Sequence, residues 1–179
     1  MKRYTTILAD PPWAMNQIGS RGAVRHYPVM SLDDIKGLPV HRLAADNAHL
    51  WLWVTNADIF RQIEVMETWG FTYKSCLTWI KPYYGLGGYL RNQTEHLLLG
   101  VKGRLPVQFR GQGSWTFAPL QGHSHKPEEQ YAIIERCSPG PYLELFARRP
   151  QPGWESWGNE MDGRDLRLVL NSEPEAEAA

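Results

Sequence analysis

HLWLWVTNADIFRQIEVMETWGFTYKSCLTWIK, residues 49–81, decides the fold class of this 179-residue chain. It opens on a near-continuous apolar run (49–55), as a strand covered on both faces requires. Ile59, Ile63, Met66 and Trp69 then recur at helical spacing, with Asn56 as the expected cap and Gly70 as the stop. Residues 71–81 return to a strand rich in β-branched and aromatic side chains. Strand, helix and strand in that order predict a parallel pair joined by a right-handed crossover.

The flanking segments extend the alternation. YTTILAD (4–10) is strand-like and is stopped by Pro11 and Pro12. SLDDIKGL (31–38) places Ser31 and Asp34 at capping-box spacing, which predicts a short helix. A glycine- and tyrosine-rich loop (82–93) precedes a strand, EHLLLGVKG (95–103). Residues 104–125 have no sustained period and predict a long loop with at most a short strand. KPEEQYAIIERC (126–137) starts as helices do, with Pro127 at a first helical position and acids after it. PYLELFAR (141–148) and GWESWGNE (153–160) read as two last strands. The fold class is therefore α/β: an open, mostly parallel sheet with helices on both faces. Such sheets bind ligands at the carboxyl ends of their strands, where Asp10, Asn56, Lys81 and Arg148 fall.

Composition narrows the function classes. Hydrophobic residues make up 42% and aromatics 12%, which excludes disorder for most of the chain. Residues 1–171 are expected to form one domain, followed by an acidic, disordered tail, SEPEAEAA (172–179). Formal charge is zero; without the three tail glutamates, 19 cations face 16 anions. That balance argues against a tight non-specific grip on long nucleic acid, although it permits a local basic groove. Cys76 and Cys137 belong to no CxxC pattern, and His123 and His125 lack a third ligand, so no metal is expected. MKRYTTIL is too short for a signal peptide, and no window reaches the length of a membrane span. A cytoplasmic protein is expected.

Asp-Pro-Pro-Trp (10–13) carries the chemistry. An ionised Asp is an acceptor only, and each proline removes an N–H that would compete for a donor. Trp adds a flat apolar face. A carboxylate and a carbonyl facing one amino group, beside a stacking wall, suit the exocyclic amine of a planar base. Two acceptors on its hydrogens would localise the nitrogen lone pair, which is catalysis by positioning and electrostatics. The same four residues also read as a strand-ending turn over a buried tryptophan.

DPPW resembles the signature of the MT-A70 family of S-adenosylmethionine-dependent adenine N6-methyltransferases. HYPVMSLDDI (26–35), LWLWVTN (50–56), WIKP (79–82), EHLLLGVKG (95–103), HSHKPEEQYAIIERCSPG (123–140), ELFARR (144–149) and GWESWGNE (153–160) resemble that family in the same order. The resemblance implies a single Rossmann-like methyltransferase domain with permuted motifs. The catalytic strand comes first and the cofactor strand, YLELFAR, comes late, which accounts for the missing GxGxxG after the first strand. Asp10 favours adenine over the cytosine and glutamine enzymes, which show Ser and Asn there. The implied catalytic residues are Asp10, Pro11, Pro12 and Trp13. The implied S-adenosylmethionine contacts are Asp10, Lys126, Glu144, Arg148 and Asn159. Gln151 joins them as the nearest match where the family shows His-Asn and this chain has Pro150-Gln151. Trp79 and Lys81 are implied near the target base. Tyr27 resembles a substrate- or cofactor-pocket tyrosine and reads equally as a core aromatic beside Pro28, and Glu95 either serves the pocket or is a solvated acid at the start of its strand.

For the polynucleotide, the loops supply aromatic and basic groups: Tyr83, Tyr84, Tyr89 and Arg91 in one, Arg104, Phe109, Arg110 and Trp115 in the other. Arg21, Arg25 and His26 form a further basic segment. Surface lids with no reading role are the alternative for both loops. The expected activity is methyl transfer from S-adenosylmethionine to adenine N6, with DNA preferred and RNA possible. A non-catalytic nucleic-acid-binding subunit of the same fold is the rival. A homodimer or second subunit is the expected protein partner.

Overall fold

The computed structural model describes residues 2–14, 29–57, 59–85, 87, 89–122, 125–158 and 161. In chain order the elements are β1 (Tyr4–Ala9), α1 (Leu32–Lys36), α2 (Val40–Leu43), β2 (Ala44–Val54), α3 (Ile59–Thr68), β3 (Thr72–Ile80), β4 (Thr94–Lys102), β5 (Trp115–Phe117), α4 (Glu129–Cys137), β6 (Tyr142–Leu145) and β7 (Trp154–Trp157). The strands make one sheet in the order β5-β3-β4-β2-β1-β6-β7. All neighbours pair in parallel except β4, which runs antiparallel to both β2 and β3.

The apolar run in β2 feeds both faces, because side chains alternate along a strand. Leu50, Leu52 and Val54 join Ile7 and Ala9 in a core closed by Ile35 of α1 and by Val65 and Met66 of α3. Trp51 and Trp53 join Leu8 in a second core closed by Tyr131, Ile133 and Ile134 of α4. Helices thus cover both faces, as the alternation predicts. Trp69, fully buried after α3, donates its indole N–H to the Ile35 carbonyl at 3.0 Å and so ties α3 to α1. Removing that side chain would cost about 3–5 kcal/mol.

Caps and close approaches set the element ends. Ser31 Oγ accepts the Asp34 N–H at 3.1 Å, so the expected cap of α1 forms. Gly70 adopts φ 85° while Phe71 N–H bonds the Met66 carbonyl, a left-handed exit that favours glycine. On β4, Gly100 lies where any Cβ would meet Met66 Sδ at 2.6 Å, which lets α3 settle directly on the strand.

Several expectations are corrected. β2 and β3 run parallel but do not pair, because β4 lies between them. The 82–93 loop turns the chain back on itself, and an antiparallel partner needs no crossover helix. β2 begins at Ala44, five residues before the apolar run. Asn56 spends its side chain on β4 rather than on a helix cap: its amide bonds the Thr94 carbonyl at 2.9 Å and its oxygen meets His96 Nε2 at 2.8 Å. α4 begins at Glu129, two residues past Pro127, whose carbonyl accepts the Gln130 N–H in the lead-in turn. Within the unpatterned 104–125 stretch only β5 forms among the described residues, as expected. Among the described residues no helix is long and apolar enough to cross a membrane.

Candidate active site

β1 ends at Ala9, and the next four residues form the turn DPPW at the carboxyl edge of the sheet. Trp13 N–H bonds the Pro11 carbonyl at 2.9 Å, and Met30 N–H bonds the Pro12 carbonyl at 2.9 Å. Trp13 is 8% exposed, packs in the core beside Ile7 and Ala9, and donates its indole N–H to the Trp53 carbonyl at 3.1 Å. The indole therefore anchors the turn to β2. Asp10, preceding it, keeps its carboxylate at the surface of a cleft.

A chain of alternating charges runs into this carboxylate. Lys126, just ahead of α4, bonds Asp10 Oδ2 at 2.9 Å and Glu95 Oε2 at 3.2 Å. Glu95 is bonded in turn by Lys81, one residue past β3. These four side chains are only 12–21% exposed. Glu95 opens β4, so its place here follows from the inverted direction of that strand: β4 starts where its neighbours end. Two tryptophans form the floor. Lys126 Nζ sits 5.4 Å from the centre of Trp53 and Lys81 Nζ 4.7 Å from that of Trp79, with the two rings edge to face at 6.1 Å. Both indole N–H groups are satisfied, by Gln130 Oε1 at 2.7 Å and by the Ala118 carbonyl at 2.9 Å.

The pairing decides the protonation states. Burial alone would strip the proton from Lys126, but the Asp10 and Glu95 charges outweigh it and hold the ammonium above the usual lysine range. Burial would likewise raise Glu95, yet Lys126 and Lys81 together hold it below the usual carboxylate range.

The same cleft continues along β6. Glu144 lines it and accepts the Tyr131 hydroxyl proton at 3.0 Å. Burial, aided by the charge of Asp10 and opposed by the Tyr131 hydrogen bond, pushes the Glu144 carboxyl up to about 7. Burial first, with the Glu144 charge adding to it, raises the Tyr131 hydroxyl too, so it remains a donor. Past β6, Phe146 holds φ 64°, a left-handed conformation that is costly for a non-glycine residue, and it lines the cleft with Arg148 and Arg149. Arg149 pairs with Glu128. At the end of β7, Gly158 passes the Ala147 backbone so closely that a Cβ would lie 2.1 Å from the Ala147 oxygen.

The MT-A70 family model matches residues 4–160, which contain the whole of this cleft-bearing sheet. The chain belongs to the MT-A70 family. The Drosophila melanogaster N(6)-adenosine-methyltransferase MT-A70-like protein is 34% identical over 93% of the chain, which spans 28% of that protein. The human N(6)-adenosine-methyltransferase catalytic subunit METTL3 is 33% identical over 92% of the chain, which spans 29% of it. The type II methyltransferase M.MunI from Mycoplasma sp is 28% identical over 96% of the chain, which spans 84% of it.

Set on this MT-A70 fold, the residues singled out in the sequence part into groups. Asp10, Lys126, Glu144 and Arg148 line one cleft, and Lys81 and Glu95 join it through Lys126. Trp13 and Trp79 are buried, at 8% and 1% exposure, with their indole N–H groups bonded to backbone carbonyls. Gln151 meets β7 through its backbone, accepting the Trp154 N–H at 3.0 Å, and is not part of the cleft lining. Arg91 is exposed on the 82–93 loop. Arg110 lies elsewhere, on a second cavity with Ile133 and Cys137. Its loop bonds the Cys137 carbonyl through Gln108 N–H, at the end of α4 remote from Lys126. The nine residues of α4, a length of roughly 12 Å, lie between its Lys126 end and its Cys137 end. Tyr27, Asn159, His123 and the basic segment Arg21, Arg25 and His26 lie outside the described residues, as does the 172–179 tail. Among the described residues no group of His, Cys, Asp and Glu gathers as metal ligands do.

Sequence reasoning passed over Trp53, Gln130, Tyr131 and Phe146. Gln130 and Tyr131 lie in the first turn of α4, shortly after Lys126.

Proposed function

We propose that this chain transfers a methyl group from S-adenosylmethionine to N6 of adenine in a polynucleotide, with DNA ahead of RNA. The observation that carries the reading is the Asp10–Lys126 contact at 2.9 Å, which presents an oriented carboxylate on the cleft that Glu144 and Arg148 also line. Relatives named N(6)-adenosine-methyltransferases support the reaction. The type II methyltransferase M.MunI, 84% of whose length the chain spans, supports methyl transfer as well.

The cleft's donors fit S-adenosylmethionine. Lys126 and Arg148 offer cations to its carboxylate, Glu144 offers a carboxyl to ribose hydroxyls, and Leu8 and Phe146 offer apolar surface. When bound, this donor supplies a methyl group on a positively charged sulfur.

The chain's own residues position the acceptor. Lys126 occupies Asp10 Oδ2 and fixes the carboxylate plane, leaving Oδ1 for one amine hydrogen. The Pro11 carbonyl gives one lone pair to Trp13 N–H and keeps the other for the second hydrogen. Pro11 and Pro12 bring no N–H to compete with the amine. The nitrogen sheds a proton as it gains its methyl, and the Asp10 carboxylate facing it can take that proton. No covalent bond to the protein is needed. The unit is proposed to span residues 1–171, to work in the cytoplasm, and to act with a second copy or subunit, as the term "catalytic subunit" in the human relative's name suggests.

Label transfer from S-adenosylmethionine to adenine-containing DNA and RNA tests the reading, with Asp10→Ala as control. Transfer that persists in the control would overturn the mechanism. A thermal shift on adding the cofactor separates enzyme from non-catalytic subunit, since ligand at 100 times its Kd stabilises by about 2.7 kcal/mol.

A further inference from the structure

We infer that Tyr83, Tyr84 and Tyr89 form a stacking platform for unpaired nucleotides beside the target adenine, so that the substrate is single-stranded. The inference rests on the methyltransferase reading of the cleft and names the form of polymer that cleft receives.

The three tyrosines are 72%, 75% and 105% exposed, on the excursion that joins β3 to β4. That excursion is tied down at its base. Lys81 N–H bonds the Gln93 carbonyl at 2.7 Å, and Gly85 N–H bonds the Asn92 carbonyl at 2.7 Å. Asn56 holds the return strand through Thr94. A Cβ on Gly87 would lie 1.8 Å from the Leu90 oxygen, so a side chain there would force backbone to move. The rings are displayed by a built loop.

The platform is coupled to the candidate site. Lys81, two residues before Tyr83, bonds Glu95, and Glu95 shares Lys126 with Asp10. The loop that carries the tyrosines is thus joined, through its base, to the carboxylate that would hold the target amine.

Charge and chemistry favour unpaired nucleic acid. Lys81 and Lys126 are matched by Glu95 and Asp10, and the whole chain carries zero formal charge. Phosphate attraction is therefore weak, and affinity must come largely from stacking. Only unpaired bases offer their faces to a ring, and each lost stack costs roughly 5- to 150-fold in affinity. Exposed Arg91 is the cation the loop offers to phosphate.

The test uses the full chain and a fluorescent adenine-containing oligonucleotide of roughly 12 nucleotides, single-stranded or as its duplex. Anisotropy should give at least tenfold tighter binding of the single strand, with a log–log salt slope near −0.7 per phosphate contact. The Tyr83→Ala/Tyr84→Ala variant should raise KM for the strand by at least tenfold with kcat within about twofold, and Tyr89→Ala should act in the same direction. Tyr83→Phe/Tyr84→Phe should restore wild-type KM, because stacking needs the ring and not the hydroxyl. An unchanged thermal shift with S-adenosylmethionine would show that the variants keep their fold and cleft. Equal binding by the Ala variant, preference for duplex, or a wild-type dimer that the Ala variant converts to monomer would overturn the platform. Binding is read without methyl transfer, so absence of transfer by the wild type would count against the proposed reaction and leave the platform to the anisotropy result.

Discussion

Lys126 Nζ and Asp10 Oδ2 meet at 2.9 Å across 116 residues of sequence, and Lys126 reaches Glu95 at 3.2 Å as well. One ammonium thus bridges two carboxylates, one just past β1 and one near the start of β4, and Lys81 supplies the second positive charge.

Removing that ammonium should be felt in stability. Lys126→Met leaves Asp10 and Glu95 side by side without their shared cation, which should cost about 3 kcal/mol. For a chain of this size that lowers Tm by about 6–12 °C. Thermal unfolding followed by circular dichroism reads it, and Lys126→Arg should recover most of the loss. A Tm within about 1 °C of wild type would mean the pair is solvated in practice.

Loss of the Asp10 carboxylate should act on rate. Asp10→Asn keeps the size of the side chain but turns one acceptor into a donor, and should lower kcat by about 10²–10³-fold. Single-turnover label transfer measures it. Cofactor-induced stabilisation should survive to a detectable degree, since Glu144 and Arg148 remain in the cleft.

Stability should fall with rising pH because of Glu144. Its carboxyl titrates at about 7 when folded, against 4.5 as the ordinary value. Between these limits the folded chain holds a proton that the unfolded chain has released, so stability is fully present below about 4.5 and is lost as pH rises through 7. The loss amounts to at most about 3 kcal/mol. Glu144→Gln should abolish this slope while still accepting the Tyr131 hydroxyl. Urea midpoints for both proteins, measured across the window, should converge at its acid end and diverge toward its alkaline end. Parallel profiles would refute the assignment.

Gly158 should tolerate no side chain. A Cβ there lies 2.1 Å from one backbone oxygen and 2.7 Å from a backbone nitrogen of Ala147, and backbone cannot rotate aside. Gly158→Ala should cost about 1–3 kcal/mol and weaken cofactor binding by shifting β7 against β6. Isothermal titration reads the second effect, and wild-type affinity would show that the strands absorb the clash locally.

Much of this site was legible in the chain because its signals are local. DPPW ends a strand through the missing N–H groups of two prolines, and Ser31 caps α1 through a contact three residues away. The alternation of strand and helix set the carboxyl edge as the place for Asp10, Lys81 and Arg148. Asn56 misled for the opposite reason. It stands where a helix cap belongs, but Thr94 and His96 compete for its amide from across the sheet. Arg110 lies on a second cavity, and nothing in an unpatterned loop tells which end of α4 it will meet.

By itself the sequence determined every element but α2, their alternation, the rigid acid turn after β1 and, through colinear motifs, the MT-A70 family. Those properties depend on backbone restriction and on periods of two and 3.6 residues, which neighbours in the chain impose. Only the tertiary structure decided that β4 inserts antiparallel between β2 and β3, and that decision brings Glu95 to the edge where Asp10 lies. It also turned Trp13 and Trp79 inward, because their indole N–H groups find the Trp53 and Ala118 carbonyls there. Such pairings are settled by the burial and hydrogen bonding of partners tens of residues apart, and no local pattern encodes them.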